Sequence, residues 1–239
     1  MQGNFFEKLK AVIFPNRCIV CEKLTENKYF CKHCEGTLKP FSVKLCPRCG
    51  SPLKNCSCGR YFYYFDKIRA AFANEGAAKN SFYYYKFGGY LNAANYFADQ
   101  MVKVAKEDFK GIHFDAVTFV PMHISKRLDR GYNQSEKLAR KVARRLKLPC
   151  SPLLKERKRS KAQHTKTSIV DRFVGVKGRY SILKSARIRG KTVLLVDDIM
   201  TTGATLSECA RLLKLEGAER VFALCALKTI YKEKSESPT

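Results

Sequence analysis

At 239 residues with 45% apolar side chains, the chain is long enough to bury a full core and has the apolar content of an ordinary globular protein. Its net charge of +25 is not ordinary, and it predicts an acidic partner such as nucleic acid, polyphosphate or a membrane surface. No apolar run approaches the roughly 20 residues of a membrane span, and the N-terminus lacks the apolar core and cleavage site of a signal peptide. We therefore expect a cytoplasmic protein without a membrane span.

The first predicted element is a short amphipathic helix over residues 4–13, where apolar side chains recur at helical spacing. Pro15 ends this helix. The helix either packs on its own domain or lies on a membrane surface, and the pattern leaves both interpretations open.

Eight of the 11 cysteines follow as short pairs within a chain that carries no secretion signal. The pairs are Cys18 with Cys21, Cys31 with Cys34, Cys46 with Cys49, and Cys56 with Cys58. In a reducing compartment this spacing predicts metal binding rather than disulfides. Each pair makes a tight turn that aims two thiolates at one point, and two such turns complete a tetrahedral zinc site.

We predict one or two structural zinc ions, since four thiolates leave no open position for water. Sequential use of the pairs is the simplest arrangement, but an interleaved one that joins the first pair to the third also fits. Zinc binding, worth roughly 10–16 kcal/mol in finger peptides, would supply the folding free energy that so few apolar groups cannot. The aromatic segment at residues 61–65 marks the expected boundary, with a zinc-ribbon domain over 1–60 and a second domain over 61–239.

The second domain begins with a predicted strand over residues 67–73 and two predicted helices over 77–87 and 90–106. The clustered tyrosines and phenylalanines of the first helix either pack in the core or stack on unpaired bases. A strand over residues 114–120 follows, and then a basic loop leads into a helix over 135–148. A loop at the carboxyl end of a strand that carries three cations suits a pyrophosphate; these are Lys126, Arg127 and Arg130.

Residues 155–179 are basic and poorly periodic, which predicts a long loop. Residues 126–166 hold 15 lysines and arginines but only three acidic residues, a net charge of +12. A pyrophosphate needs two or three cations, so the surplus favours a nucleic-acid backbone as partner, although a solvated helix face would also account for it. No base-reading motif is present, which favours single strands over a specific duplex site.

The last predicted unit is a buried strand, a loop, a helix and a second strand, typical of a parallel sheet. Asp197 and Asp198 stand at the carboxyl end of the first strand, where open α/β sheets bind ligands. The loop that opens the helix consists of Thr201, Thr202, Gly203, Ala204 and Thr205. Its N–H groups and hydroxyls suit a phosphate, and two adjacent carboxylates suit the hydroxyls of a sugar.

The stretch VLLVDDIMTTGAT closely resembles the signature of type I phosphoribosyltransferases, which bind 5-phosphoribosyl 1-pyrophosphate (PRPP). The resemblance implies an α/β fold with a parallel sheet flanked by helices, here behind an N-terminal zinc ribbon. It also implies that Asp197 and Asp198 hold the ribose 2- and 3-hydroxyls, with Mg²⁺ accompanying the PRPP. The residues from Thr201 to Thr205 would then wrap the 5-phosphate.

The zinc ribbon, the segment VPMHISKRLDRGYNQ and this signature together resemble the ComF family of competence proteins, which serve natural transformation in bacteria. The resemblance places part of the middle segment on the functional surface; these residues are Arg127, Arg130, Gly131, Asn133 and Gln134. Residues 155–179 would correspond to a mobile loop that closes over pyrophosphate, but Lys166 and Gly175 depart from the family pattern. Whether the chain is catalytically active is therefore left open.

Three functions follow from these patterns. The first is a PRPP-binding protein of DNA uptake that binds single-stranded DNA, with other competence proteins as further partners. The second is a metabolic phosphoribosyltransferase of nucleotide synthesis or salvage. The third is a DNA-binding adaptor whose PRPP site is vestigial.

Overall fold

The computed structural model describes residues 15–38, 40–41, 43–56, 58–88, 93–157, 169–184 and 186–231. The helix expected over residues 4–13 lies outside the described residues, as do residues 158–168 of the basic stretch. Among the described residues, no helix combines the length and the apolar character needed to cross a bilayer.

Six strands form two sheets. They are β1 (Lys67–Ala73), β2 (Ala116–Phe119), β3 (Leu154–Glu156), β4 (Tyr180–Ile182), β5 (Thr192–Met200) and β6 (Arg220–Lys228). Four of these strands make a parallel sheet in the order β1-β6-β5-β2, while β3 and β4 form an antiparallel pair. In strand β5, residues 193–196 form an unbroken apolar run because both faces of the strand are covered there.

Seven helices accompany the strands in the described part of the chain. They are α1 (Lys32–Thr37), α2 (Gly76–Phe87), α3 (Ala93–Asp108), α4 (Ile124–Arg130), α5 (Gln134–Leu146), α6 (Ile169–Val174) and α7 (Ala204–Leu215). One face of the parallel sheet packs on α3 and α5, and receives Leu194 and Val196 from β5. The opposite face packs on α7 and the β3–β4 pair, and receives Val193 and Leu195.

The segment that carries the cysteine pairs packs against β1, an edge strand of the parallel sheet. The backbone N–H of Ile68 donates to the carbonyl of Arg48 at 2.9 Å. Gly50 approaches the same strand so closely that a Cβ atom there would lie 2.6 Å from the Ile68 carbonyl oxygen. The ribbon therefore covers an edge that would otherwise be open to pairing with another chain.

Several predicted elements agree with the structure to within a few residues, but two predictions were wrong. The long loop expected over residues 155–179 holds most of β3 at its start and all of α6 near its end. The loop expected after β2 contains α4, whose apolar residues Ile124 and Leu128 are 59% and 76% exposed. Because β3 is defined by distant pairing and α4 buries no apolar stripe, neither leaves a periodic pattern in the sequence.

Candidate functional site

The two adjacent acids lie at the carboxyl end of β5, within the strand rather than after it. Asp197 is buried, and its Oδ1 atom accepts hydrogen bonds from the Ser135 hydroxyl and from the Asp198 backbone N–H, both at 2.8 Å. Asp198 is half-buried and forms an ion pair of 2.5 Å with the ammonium of Lys86 at the end of α2. Three elements thus meet at the acid pair: β5, the start of α5 and the end of α2.

Burial, and to a smaller extent the negative charge of Asp198, raise the pKa of Asp197 to about 7. The Ser135 hydroxyl and the Lys86 ammonium oppose this effect because both favour the ionised carboxylate. The site therefore concentrates negative charge that is only partly compensated, and it is suited to accept hydrogen bonds from hydroxyl groups or to attract a cation.

The loop after β5 turns sharply at Gly203, which has a φ of 83° and precedes the first residue of α7. A Cβ atom at this position would lie 2.6 Å from Met200 Cε and 3.0 Å from the Tyr63 ring, so both backbone conformation and space require glycine. Thr202 is buried and its hydroxyl accepts from the Ala204 N–H at 3.4 Å. Thr201 is exposed, which leaves its side chain available to an anion near the start of α7.

Residues 133–135 are buried inside the protein next to the acid pair and are not exposed to solvent. The Asn133 side chain caps α5 by accepting from the Ser135 N–H at 3.0 Å, and it donates to the Val120 carbonyl at 3.0 Å. Gln134 is completely buried, and among the described residues its side-chain amide has no hydrogen-bond partner. These residues fix the start of α5 against the end of β2, which sets the position of Ser135.

In the segment that precedes α5, Arg127 is the cation whose side chain the structure describes. Its side chain is 52% exposed and lies 3.6 Å from Glu136, which also pairs with Arg140. Such an exposed pair is weak, so Arg127 is available to a ligand phosphate at little cost. The side chains of Lys126 and Arg130 lie outside what the structure describes.

Lys86 and Ser135 contact the acid pair directly, yet the sequence did not single them out as site residues. Lys86 stands among the aromatic residues of α2 without a local motif, and it approaches Asp198 only because α2 packs beside the sheet. Ser135 follows the predicted segment by one residue, so helical capping was the available signal.

The eight cysteines form two clusters, and each cluster uses consecutive pairs. They are Cys18, Cys21, Cys31 and Cys34 in the first zinc site, and Cys46, Cys49, Cys56 and Cys58 in the second zinc site. The sulfur atoms within each cluster lie within 4.8 Å of one another. The sequential arrangement is thus the one that the fold provides, and the interleaved one is not.

The sulfur geometry fits a bound zinc ion. The Sγ atoms of Cys21 and Cys31 are 3.8 Å apart, as are those of Cys46 and Cys58 and those of Cys49 and Cys56. Zn–S bonds of about 2.3 Å in a tetrahedron place sulfurs about 3.8 Å apart, whereas a disulfide requires about 2.05 Å. Burial and the neighbouring Cys49 thiolate raise the pKa of Cys58, so four thiolates require a cation to coexist.

The outward face of α5 is basic, but part of its charge is already paired within the protein. Arg145 pairs with Asp99, Lys141 donates to Asn95 at 2.7 Å, and Arg140 pairs with Glu136. Arg144 and Lys147 are exposed near the end of the helix. The surface available to a polyanion is therefore smaller than the sequence count of +12 over residues 126–166 indicates.

Two families of known domains match the chain. Residues 133–238 match the phosphoribosyl transferase domain, and residues 9–61 match the double zinc ribbon domain. Glutamine PRPP amidotransferase from B. subtilis, a solved structure, is 23% identical with a TM-score of 0.38, over 56% of this chain and 26% of that chain. A TM-score below 0.5 does not by itself establish a shared fold, so the fold assignment rests on the family match and on the parallel sheet.

Curated relatives are named for competence and DNA utilization. Competence protein ComFC of Bacillus subtilis is 26% identical over 81% of this chain and 81% of that protein. Competence protein F of Haemophilus influenzae is 30% identical over 51% of this chain and 56% of that protein. DNA utilization protein YhgH of Escherichia coli is 31% identical over 48% of this chain and 50% of that protein.

The last two matches span only about half the length of those relatives. The match to the Bacillus protein covers most of this chain, as the resemblance in sequence predicted. The fold is accordingly α/β and type I phosphoribosyltransferase-like, with a cysteine-rich zinc ribbon at the N-terminal side. The chain is thus similar to the ComFC and ComF competence proteins, and it combines a double zinc ribbon domain with a phosphoribosyl transferase domain that follows it.

Proposed function

We propose that this protein binds PRPP at the carboxyl end of β5 and acts in the handling of incoming single-stranded DNA. One observation supports the PRPP site above all. The acid pair, held in place by a hydrogen bond from Ser135, is followed by a loop that turns at Gly203 and leads into α7. This junction lies within the region that matches the phosphoribosyl transferase domain.

Each side chain at the junction has a role that its chemistry supports. Asp197 and Asp198 accept hydrogen bonds from the ribose hydroxyls, with Ser135 holding Asp197 in place. Thr201, Thr205 and the first N–H groups of α7 bind the 5-phosphate. Arg127 moves from its weak pair with Glu136 to the pyrophosphate.

Mg²⁺ fits this site because Asp198 already attracts a cation, the Lys86 ammonium, at 2.5 Å. When bound with PRPP, Mg²⁺ would offset the negative charge of the pyrophosphate. If transfer chemistry occurs, positive charge develops at C1 of the ribose as pyrophosphate leaves. The acid pair then offsets that charge.

The DNA part of the proposal rests on the basic character of the chain and on the names of its relatives. Arg144 and Lys147 are exposed at the end of α5, and the sequence carries further basic residues between positions 155 and 166. Single-stranded DNA is the expected ligand because backbone contacts need no base-reading motif. Retention of eight thiol ligands for zinc fits a reducing compartment, so we place the protein in the cytoplasm.

A metabolic phosphoribosyltransferase is the second candidate. The hydrogen bond from Ser135 that holds Asp197 in place favours this candidate over an adaptor with a vestigial site. Titration with a fluorescent single-stranded oligonucleotide over 50–200 mM salt separates the candidates, because a metabolic enzyme should bind negligibly at the upper end. We expect binding whose logarithm falls linearly with the logarithm of salt concentration. Salt-independent or absent DNA binding, with PRPP bound normally, would favour the metabolic enzyme.

A further inference from the structure

The second zinc site lies directly behind the loop that we propose to bind phosphate. Cys46 and Cys49 are buried in the same apolar cluster as Met200 and Tyr63. Met200 is the last residue of β5, immediately before Thr201. A zinc site and a ligand loop that share one packed cluster do not move independently.

Tyr63 connects the two directly, and its side chain is almost completely buried. Its hydroxyl donates to the Thr202 carbonyl at 3.2 Å, and its ring leaves no room for a Cβ at Gly203. Its own carbonyl accepts a hydrogen bond from the guanidinium of Arg48, which lies between Cys46 and Cys49 in the sequence. One residue thus transmits the position of the zinc-binding turn to the loop.

Two further contacts hold the sheet next to the second zinc site and the loop. The Arg69 guanidinium donates to the Cys46 carbonyl at 3.1 Å. The buried ammonium of Lys228 lies 3.3 Å from the sulfur of Met200. The first contact fixes the zinc-binding turn against β1, and the second joins β6 to Met200 at the end of β5, next to the loop.

The first zinc site provides an internal contrast because it packs elsewhere. Its neighbour Phe30 contacts Tyr96 of α3 with ring centroids 4.7 Å apart, and Cys18 and Cys34 belong to the cluster on the opposite face of the sheet. Among the described contacts, none joins this site to residues 201–205.

We infer that the second zinc site is a conformational support of the phosphate loop, with Tyr63 as the positioning residue, and that the first zinc site is not. Zinc at the second site and a phosphate ester at the loop should then bind with positive coupling, and the coupling factor should be the same in both directions. The identity of the phosphate ester, PRPP, rests on the proposed function, but the mechanical link does not.

The first test measures hydrogen exchange of the loop amides at residues 201–205 in ligand-free protein. One variant carries Cys56→Ser and Cys58→Ser, and the matched control carries Cys21→Ser and Cys31→Ser. Each variant loses one exposed and one half-buried ligand from a single zinc site. We expect faster loop exchange in the first variant alone, with one zinc retained per chain in both.

The second test uses the unmodified protein and the Tyr63→Phe variant, which lacks the hydroxyl that contacts the loop. PRPP should slow the release to a chelator of one of the two zinc equivalents and leave the other unchanged. Tyr63→Phe should keep both zinc ions and lower PRPP affinity by roughly 2- to 12-fold, the range of one hydrogen bond. Tyr64→Phe is the matched control, since the described contacts of its side chain do not reach the loop.

The outcomes separate the inference from the proposed function. Equal loop exchange in the two cysteine variants, or equal protection of both zinc equivalents, would overturn the inference. Faster loop exchange in the Cys56/Cys58 variant without any PRPP binding would support the link and reject the proposed ligand.

Discussion

Removal of the buried charge at Asp197 should stabilise the ligand-free protein while it abolishes PRPP binding. The pKa of this carboxyl is raised from 3.8 to about 7, chiefly by burial. The folded state therefore holds a proton that the unfolded state releases above about pH 4, so this contribution to stability is complete below pH 4 and lost as pH rises through about 7. The difference corresponds to on the order of 4 kcal/mol.

Asp197→Asn keeps the oxygen that accepts from Ser135 and the Asp198 N–H but removes the charge. The new amide NH₂ group costs about 1–3 kcal/mol if it finds no partner. We therefore expect the free energy of unfolding at pH 8 to rise by between about 1 and 4 kcal/mol, with the gain vanishing near pH 4. Urea denaturation across this pH range measures it directly.

Asp198→Asn is the matched control because Asp198 is half-buried and already paired with Lys86 at 2.5 Å. Loss of this pair should leave stability at pH 8 unchanged or lower, although PRPP binding should again fall. If Asp197→Asn is no more stable than the unmodified protein at pH 8, or if its advantage persists unchanged at pH 4, the account of a buried charged acid at this site is wrong.

Ser135→Ala removes a hydroxyl that lowers the pKa of Asp197. The pH at which PRPP binding is half lost should therefore move upward by roughly one to two pH units, the effect of one charge-assisted hydrogen bond. An unchanged pH profile would argue against this contact. The positive charge of Lys86 also favours ionised Asp197, so Lys86→Ala should move the same midpoint upward. Lys86→Arg keeps the charge and should return the midpoint to its original pH. Calorimetric titration of PRPP as a function of pH measures both effects. Arg144→Ala with Lys147→Ala should weaken single-stranded DNA binding and reduce the salt slope by about 1.4, the value for two phosphate contacts on a single strand, with PRPP affinity unaffected. An unaltered slope would place the DNA elsewhere.

The sequence predicted the parts of the fold whose cause is local. The strand at β1, the apolar stripe of α3 and the strand–loop–helix unit around Gly203 each have a pattern within a short window of residues. The cysteine spacing likewise indicated two thiolate clusters, and only their grouping needed the fold. Short-range periodicity and turn chemistry were sufficient for these features.

The contacts that define the site depend on residues distant in the chain. Lys86 reaches Asp198 across more than 100 positions, and Tyr63 reaches Thr202 across 139. Gln134 was predicted as a ligand-binding residue, yet it is completely buried. The amphipathic pattern of α5 did not predict this burial, because it does not show which residues of the first helical turn point inward. Such pairings depend on how helices pack on the sheet, which no local pattern encodes.

The most direct test of the central claim is calorimetric titration of PRPP with Mg²⁺ into the zinc-loaded protein, with and without single-stranded DNA. The account predicts saturable binding at one site per chain, loss of that binding in Asp197→Asn, and an affinity that changes when DNA is present. No heat of binding in either condition, with both zinc ions in place, would contradict the claim that the acid pair and the loop at Gly203 form a PRPP site.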